Sequence, residues 1–203
     1  MISKTSIKYN RASGLYDLVE TPVEQFFFKR YRKKALAHAR GKILEVGVGT
    51  GKNFPYYSHD IEVVGIDFSS GMMEKAGRRK EKLDMNNVTL LEMDAQDLSF
   101  ADNSFDTVIS TFVFCTVPDP GLGLRQLLRV LKPGGRAIFL EHMRSVNWFL
   151  NIHLYLMNLV TKPMMGTSMI RETQKNIEKA GFEIETVENL IFDVVRLIVA
   201  SKR

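Results

Sequence analysis

Glu45, Gly47, Gly49, Gly51 and Asp67 carry the first chemical signal. The segment ILEVGVGTGKN, residues 43–53, runs an apolar stretch into three glycines at alternate positions, with Glu45 just ahead of them. Glycine admits close approach of backbone amides and accepts positive φ. Such a loop after an apolar run suits a nucleotide-like ligand. It is not the phosphate cradle of an NTPase. That pattern, G-x-x-x-x-G-K-[ST], needs glycine at 46 and Ser or Thr at 53, where the chain has Val46 and Asn53. The dinucleotide fingerprint G-x-G-x-x-G also fails, because Lys52 stands where its third glycine belongs. Asp67 ends the run EVVGID and suits a ribose diol in either reading, since a carboxylate accepts two hydrogen bonds. Glu45 discriminates. A carboxylate before the turn repels pyrophosphate and suits a ligand with a cationic centre.

These residues need elements to hold them. KILEVG (42–47), EVVGID (62–67), VTLLEMD (88–94), FDTVIST (105–111) and RAIFLEH (136–142) read as strands from their length and β-branched content. Helical patterns fall between Ser69 and Leu83, over 122–131, and from Met169 to Ala180. Lys132-Pro133-Gly134-Gly135 stops the second and Gly181 the third. Two further strands, FEIETVENL and FDVVRLIVAS, close the chain. Strands alternating with helices predict an α/β, doubly wound parallel sheet in a single domain over 1–203. Residues 1–41 and 146–168 stand outside the alternation and are candidates for ligand contact.

Composition sets the bounds. A chain of 203 residues with a 45% apolar fraction can bury one substantial core. The single cysteine, Cys115, permits no intramolecular disulfide and fits a reducing compartment. No apolar run is long enough to span a bilayer, and the N-terminus does not read as a secretory signal. A cytoplasmic protein is expected. The net charge of +5 permits an anionic partner without choosing one.

With E-V-G-V-G-T-G, Asp67, M-D-A at 93–95 and L-K-P-G-G at 131–135 in this order, the chain resembles the class I S-adenosylmethionine (SAM) methyltransferases over about residues 40–145. The resemblance implies a Rossmann-like seven-stranded sheet, mostly parallel with an antiparallel last strand, and SAM as cofactor. It implies that Gly47, Gly49 and Gly51 pass beside the methionine part, with Glu45 near the amino group. Asp67 would hold the ribose, and Asp94 with Ala95 the adenine. Phe68 and Met72 or Met73 follow Asp67 and can cover the adenine face, although a methionine here serves equally as core filler. Asn53 and Thr111 complete the expected cofactor set.

The end of the fourth strand, Ser110-Thr111-Phe112-Val113-Phe114-Cys115-Thr116, bears on the acceptor. The Asn/Asp-Pro-Pro-aromatic motif of adenine methylation is absent. Phe114 precedes Cys115, so the Pro-Cys nucleophile of cytosine methylation is absent too, and Cys115 reads as a buried thiol. Asp119 alone makes no metal site, and no metal is expected. His142 is a candidate general base, or a strand-end histidine bonded into the loop.

Residues 22–40 place Lys29, Arg30, Arg32, Lys33 and Lys34 beside Phe26, Phe27, Phe28 and Tyr31. Such a helix can lie on an anionic membrane, grip RNA phosphates, or pack on the sheet with its charges in solvent. Val146–Thr161 has no charged residue. Helical spacing puts Asn147, Asn151, Asn158 and Thr161 on one narrow stripe and covers the rest with apolar side chains. It suits a roof over an apolar pocket or a helix dipping into a membrane interface. His153 lies on its apolar part and reads as structural.

Tyr9-Asn10-Arg11-Ala12 and Tyr16-Asp17 are similar to the N-terminus of ubiquinone/menaquinone-biosynthesis methyltransferases and soluble bacterial phosphatidylethanolamine N-methyltransferases. In those families tyrosines matching Tyr9 and Tyr16 close over SAM. The stretch from Thr111 through Glu141-His142 to Arg171-Glu172 also resembles membrane-associated thiol S-methyltransferases, without a match to their N-terminal anchor. All three groups handle lipophilic acceptors. The expectation is a methyltransferase for a small lipophilic substrate, with a phospholipid head-group amine first and a quinone ring or thiol next. Peripheral contact with an anionic membrane on its inner face is expected; DNA is not, and RNA ranks low. A non-catalytic SAM-binding or membrane-associating module is the rival of another class.

Overall fold

A computed structural model of the chain describes residues 28–203. Its strands are β1 (Ile43–Val46), β2 (Val63–Asp67), β3 (Val88–Glu92), β4 (Phe105–Thr111), β5 (Leu131–His142), β6 (Glu183–Ile191) and β7 (Val195–Ser201). They form one seven-stranded sheet in the order β3-β2-β1-β4-β5-β7-β6. β1 to β5 pair in parallel, and β7 runs antiparallel to both β5 and β6. The doubly wound sheet with an antiparallel last strand is therefore present.

Helices cover both faces. α1 (Lys29–Leu36) and α2 (Ser70–Lys82) lie on one, α3 (Pro120–Val130) and α5 (Thr173–Ala180) on the other. Side chains alternate across a strand, so Ile43, Ile109, Ile138 and Leu140 meet Ala35, Leu36 and Ala76. Leu44, Val46, Val108 and Phe139 meet Leu124, Leu127 and Ile177 from the other side. Burial on both faces explains why β1 reads ILEV with all four positions buried. Local signals start the helices: the Ser69 hydroxyl accepts the Met72 amide, and Asp119 accepts the Leu122 amide ahead of Pro120 at the first turn.

Several boundaries differ from expectation. β3 ends at Glu92, two residues before Asp94. β5 begins at Leu131, directly after α3, because Leu131 pairs with Phe105 before the ladder shifts and resumes at Thr107 and Arg136. The expected Lys132–Gly135 break is thus an irregularity inside a strand. The helix expected from Met169 starts at Thr173. The Ser168 amide donates to the Cys115 carbonyl, the Met169 amide to Asn158 Oδ1, and Arg171 Nη2 to the Val117 carbonyl. These bonds tie the segment to the β4–α3 connection and to Asn158 before a helix can start.

Candidate functional site

Strand order reverses between β1 and β4. In open α/β sheets the crevice for a ligand lies at that point, outside the carboxyl ends of the strands. Glu45 on β1 and Thr111 on β4 reach it, together with Asn53 from the loop after β1. Asn53 Nδ2 donates to Glu45 Oε1 at 2.8 Å and to Thr111 Oγ1 at 3.1 Å. Tyr57 OH donates to Glu45 Oε2 at 2.8 Å. Arg32 Nη1 closes the network, donating to Asn53 Oδ1 at 3.0 Å and Thr111 Oγ1 at 2.9 Å. All five side chains are buried.

Burial raises the Glu45 pKa to about 7, against the lowering pull of Tyr57, Asn53 and Arg32. It also pushes the Tyr57 phenol well above its ordinary value, with the Glu45 charge adding to the rise, so Tyr57 remains a donor. Both Glu45 oxygens already accept bonds from the protein. Its carboxylate thus orients Asn53 and Tyr57 and sets the charge of the crevice floor from within.

The three glycines divide by environment. A Cβ on Gly47 would stand 2.5 Å from the Val113 side chain, and one on Gly51 2.4 Å from the Phe54 ring. What comes close at those two positions is the protein itself. Gly49 differs: its φ is +53° and a Cβ there would meet nothing within 4 Å. Its backbone borders open space, and its amide donates to Asp67 Oδ2 at 2.9 Å. Asp67 Oδ1 accepts the Ser69 amide at 2.9 Å. Burial raises the Asp67 pKa while those amides pull it down. The Phe68 amide pulls on the same carboxyl, so three amides fix it, with acceptor capacity left for a further donor.

The remaining expected contacts spread outward. Asp94 is exposed and accepts from the Gln96 amide at 2.8 Å, and Ala95 is buried behind it. Phe68 is half-buried and Met72 is 3% exposed, while Met73 packs against the core that α1 and α2 share with the sheet. Cys115 is buried. Tyr9 and Tyr16 lie outside the described residues, as do Phe26 and Phe27. No group of three metal-ligating side chains occurs among the described residues.

Phe112, directly after β4, has φ +59°, a strained conformation for a bulky residue. Its ring meets Phe28 edge-on at 4.8 Å, and the Arg32 guanidinium lies 5.5 Å from its centroid. The turn it makes is held by Glu141 on β5. Glu141 Oε1 accepts from Ser110 Oγ and from the amides of Val113 (3.0 Å) and Phe114 (3.3 Å). Glu141 Oε2 is buried without a partner, and burial raises the carboxyl pKa to about 7. His142 follows. Burial lowers its pKa to about 4, and its Nδ1 has no partner. It is a neutral imidazole of low basicity through the physiological range.

The uncharged segment forms α4, Trp148–Met165, with Asn147 accepting the Phe149 amide at its start and Gly166 closing it in the left-handed conformation. Its orientation is inverted relative to an ordinary surface helix. Beyond the exposed Asn147, the asparagine stripe faces the protein: Asn151 is buried and donates to the Ser145 carbonyl, while Asn158 accepts the Met169 amide. Most of the apolar residues face out, with Trp148 62%, Leu156 60% and Leu159 72% exposed, whereas Leu154 is buried. Phe192 adds to this surface, since its neighbour Asp193 accepts from Ser145 Oγ and the Val146 amide. His153 is exposed, so it is no structural core histidine. No helix among the described residues is long and apolar enough to cross a membrane.

Arg32 and Tyr57 escaped the sequence reading. Arg32 stands among the five cations of residues 29–34, yet it is 7% exposed and points to the crevice. The available signal was its spacing from Ala35 and Leu36, three and four residues on, which puts all three on one helix face. Lys29, Arg30 and Lys33 remain on the exposed side, and Lys34 pairs with Glu188.

Residues 44–139 match the family model described as a methyltransferase domain. The chain is 40% identical over 115 residues to a phosphatidylethanolamine N-methyltransferase of Cereibacter sphaeroides, covering 55% of this chain and only 57% of that relative's length. It is 33% identical over 198 residues to the ubiquinone/menaquinone biosynthesis C-methyltransferase UbiE of Idiomarina loihiensis, covering 84% of this chain and 78% of the relative. A SAM-dependent methyltransferase from Thermotoga maritima shares the fold, with TM-score 0.72 at 23% identity over 97% of this chain and 99% of that one.

Proposed function

Because the chain belongs to the class I SAM-dependent methyltransferase family, we propose that it moves the methyl group of SAM onto a lipophilic acceptor, first the amine of a phospholipid head group. The crevice fits the cofactor. Open space at Gly49 admits it, Asp67 beside that space keeps acceptor capacity for a ribose hydroxyl, and the polar floor combines one buried guanidinium with a buried carboxylate. That pairing suits a zwitterionic amino-acid end, with Arg32 for its carboxylate and Glu45, through Asn53, for its ammonium. SAM supplies an electrophilic methyl group when bound.

The protein's own work is positioning. The Phe112 turn, locked by Glu141, sets the wall of the crevice after β4. Holding an acceptor in line and excluding water accounts for much of the acceleration in such a transfer. An amine acceptor attacks through its lone pair, so its ammonium proton must first leave for water or a side chain. His142, at the end of β5, is the candidate to take it.

The observation that carries the lipid reading is the inverted orientation of α4. Contiguous outward apolar residues mark a surface that meets something apolar. Their position beside the end of β5 suits a helix seated in the headgroup region of a bilayer, on its cytoplasmic face. The test is mass spectrometry of products after incubation with total lipid extract and methyl-labelled SAM. Methylated phosphatidylethanolamine is the expected product. A labelled quinone would replace that acceptor with the second reading, favoured by the long match to a quinone C-methyltransferase. SAM binding without any labelled product would leave a non-catalytic module.

A further inference from the structure

We propose that a cationic cavity at the foot of α4 receives a phosphate-bearing group. The cavity, about 480 Å³, lies between the end of β5, the start of α4, α5 and β7, and its volume is that of a small-molecule pocket. Four cations from four separate segments line it: Arg144, Arg171, Lys175 and Arg196. Two carboxylates, Glu172 and Glu178, also line it, which leaves an excess of positive charge. Internal pairing does not use that excess up. Glu172 serves two cations at once, Lys175 at 2.8 Å and Arg144 at 3.7 Å. Arg196 is engaged by Gln174 and Asp193. Arg171 has no carboxylate partner among the described residues. Its Nη2 donates to the Val117 carbonyl, and its Nε is buried with no acceptor.

A buried guanidinium donor without an acceptor is costly unless a ligand completes it, and guanidinium groups match phosphate oxygens in geometry and charge. Asn151 adds a buried unpartnered carbonyl oxygen on the cavity wall, suited to a hydroxyl or ammonium carried by the same ligand. The cavity wall begins at Met143, next to His142, and takes in Asn151 from the inward side of α4. A phosphodiester that carries an amine or hydroxyl would meet both the cations and the Asn151 oxygen. The parent molecule so inferred rests on the lipid-acceptor reading; the phosphate chemistry does not.

Inorganic phosphate and glycerophosphoethanolamine share this chemistry and separate its sources. Each is titrated at constant ionic strength into the isotope-labelled full chain and followed by amide chemical shifts, with chloride and ethanolamine as controls. Saturable shifts at Ser145, Asn151 and Lys175 are expected. Arg144→Gln with Lys175→Gln should weaken them by roughly tenfold or more, the loss that follows when charge-assisted bonds go. Tighter binding of glycerophosphoethanolamine identifies a lipid head group, and equal or tighter binding of phosphate a free anion. Shifts no larger than those with chloride, or unchanged in the double variant, overturn the proposal. Arg144 and Lys175 are 44% and 63% exposed, so neutralising them spares the core, and Arg171→Lys gives a second, charge-conserving probe of the fork geometry. The readout needs no turnover. Failure of lipid methylation leaves it standing, and intact methylation with no phosphate binding overturns the cavity alone.

Discussion

The Gly49 amide donates to Asp67 Oδ2 at 2.9 Å, so the loop after β1 and the acid ending β2 form one unit at the crevice. Gly49→Leu would push a side chain into the open space, in a backbone region that disfavours it by about 1–2 kcal/mol. Asp67→Ala removes the acceptor for a buried diol, worth roughly 1–3 kcal/mol. Calorimetry should show SAM affinity reduced by about tenfold or more in both variants. Unchanged affinity in both would remove this crevice as the cofactor site.

Arg32 should matter for the same ligand through charge. Arg32→Met keeps much of the stem's packing and deletes the bonds to Asn53 and Thr111. Weaker SAM binding, with adenosine affinity nearly unchanged, is the expected pattern, because adenosine lacks the carboxylate. Equal loss for both ligands would show that Arg32 merely holds the fold of the crevice.

His142→Ala should lower kcat by about 10²–10⁴ if the imidazole takes the acceptor's proton, with SAM affinity intact. Its folded pKa of about 4 adds a second signature. The acid limb of the kcat profile should fall near that value and not near 6.5. A loss below about threefold at every pH would leave the residue as a strand-end histidine.

Glu45 and Glu141 make stability depend on pH in a defined direction. Both have folded pKa values raised to about 7 from 4.5. Between those values the folded chain holds protons that the unfolded chain has released, so stability falls as pH rises. Each group accounts for on the order of 3 kcal/mol of that fall. His142, lowered to about 4, acts oppositely between about 4 and 6.5. The net loss should therefore be steepest from about pH 6.5 to 7. Glu141→Gln cannot ionise and should flatten the Tm profile in that range; a slope equal to the parent's would mean the carboxyl is not held neutral.

The exposed face of α4 predicts vesicle binding that salt weakens little. Arg32 is buried and Lys34 is paired with Glu188, so few basic residues of α1 remain to attract an anionic surface, at about 1 kcal/mol each. Trp148→Ser with Phe149→Ser should abolish sedimentation with lipid vesicles while leaving SAM affinity unchanged. A parent protein that stays in the supernatant with anionic vesicles at low salt would refute membrane seating of α4.

The sheet and the glycine loop after β1 were legible in the chain because their signals are local. ILEVGVGTG, EVVGID and FDTVIST are short apolar runs closed by glycine, acid or turn residues, and burial on both faces of a parallel sheet demands such runs. The acid at Asp67 and the glycine at Gly49 follow from the same local grammar. What side chains do across long separations was not legible. Arg32 meets Thr111 over 79 residues, and nothing in KRYRKKAL says which of its cations turns inward until Ala35 and Leu36 dock on the sheet. The asparagine stripe of α4 was visible as a stripe, but its direction was decided by Ser145 and Met169, which accept and donate to it from outside the helix. The cationic cavity likewise exists only because four segments, each an ordinary charged stretch alone, converge where β5, β7, α4 and α5 meet. Periodicity reports which residues share a face; only packing determines what that face confronts.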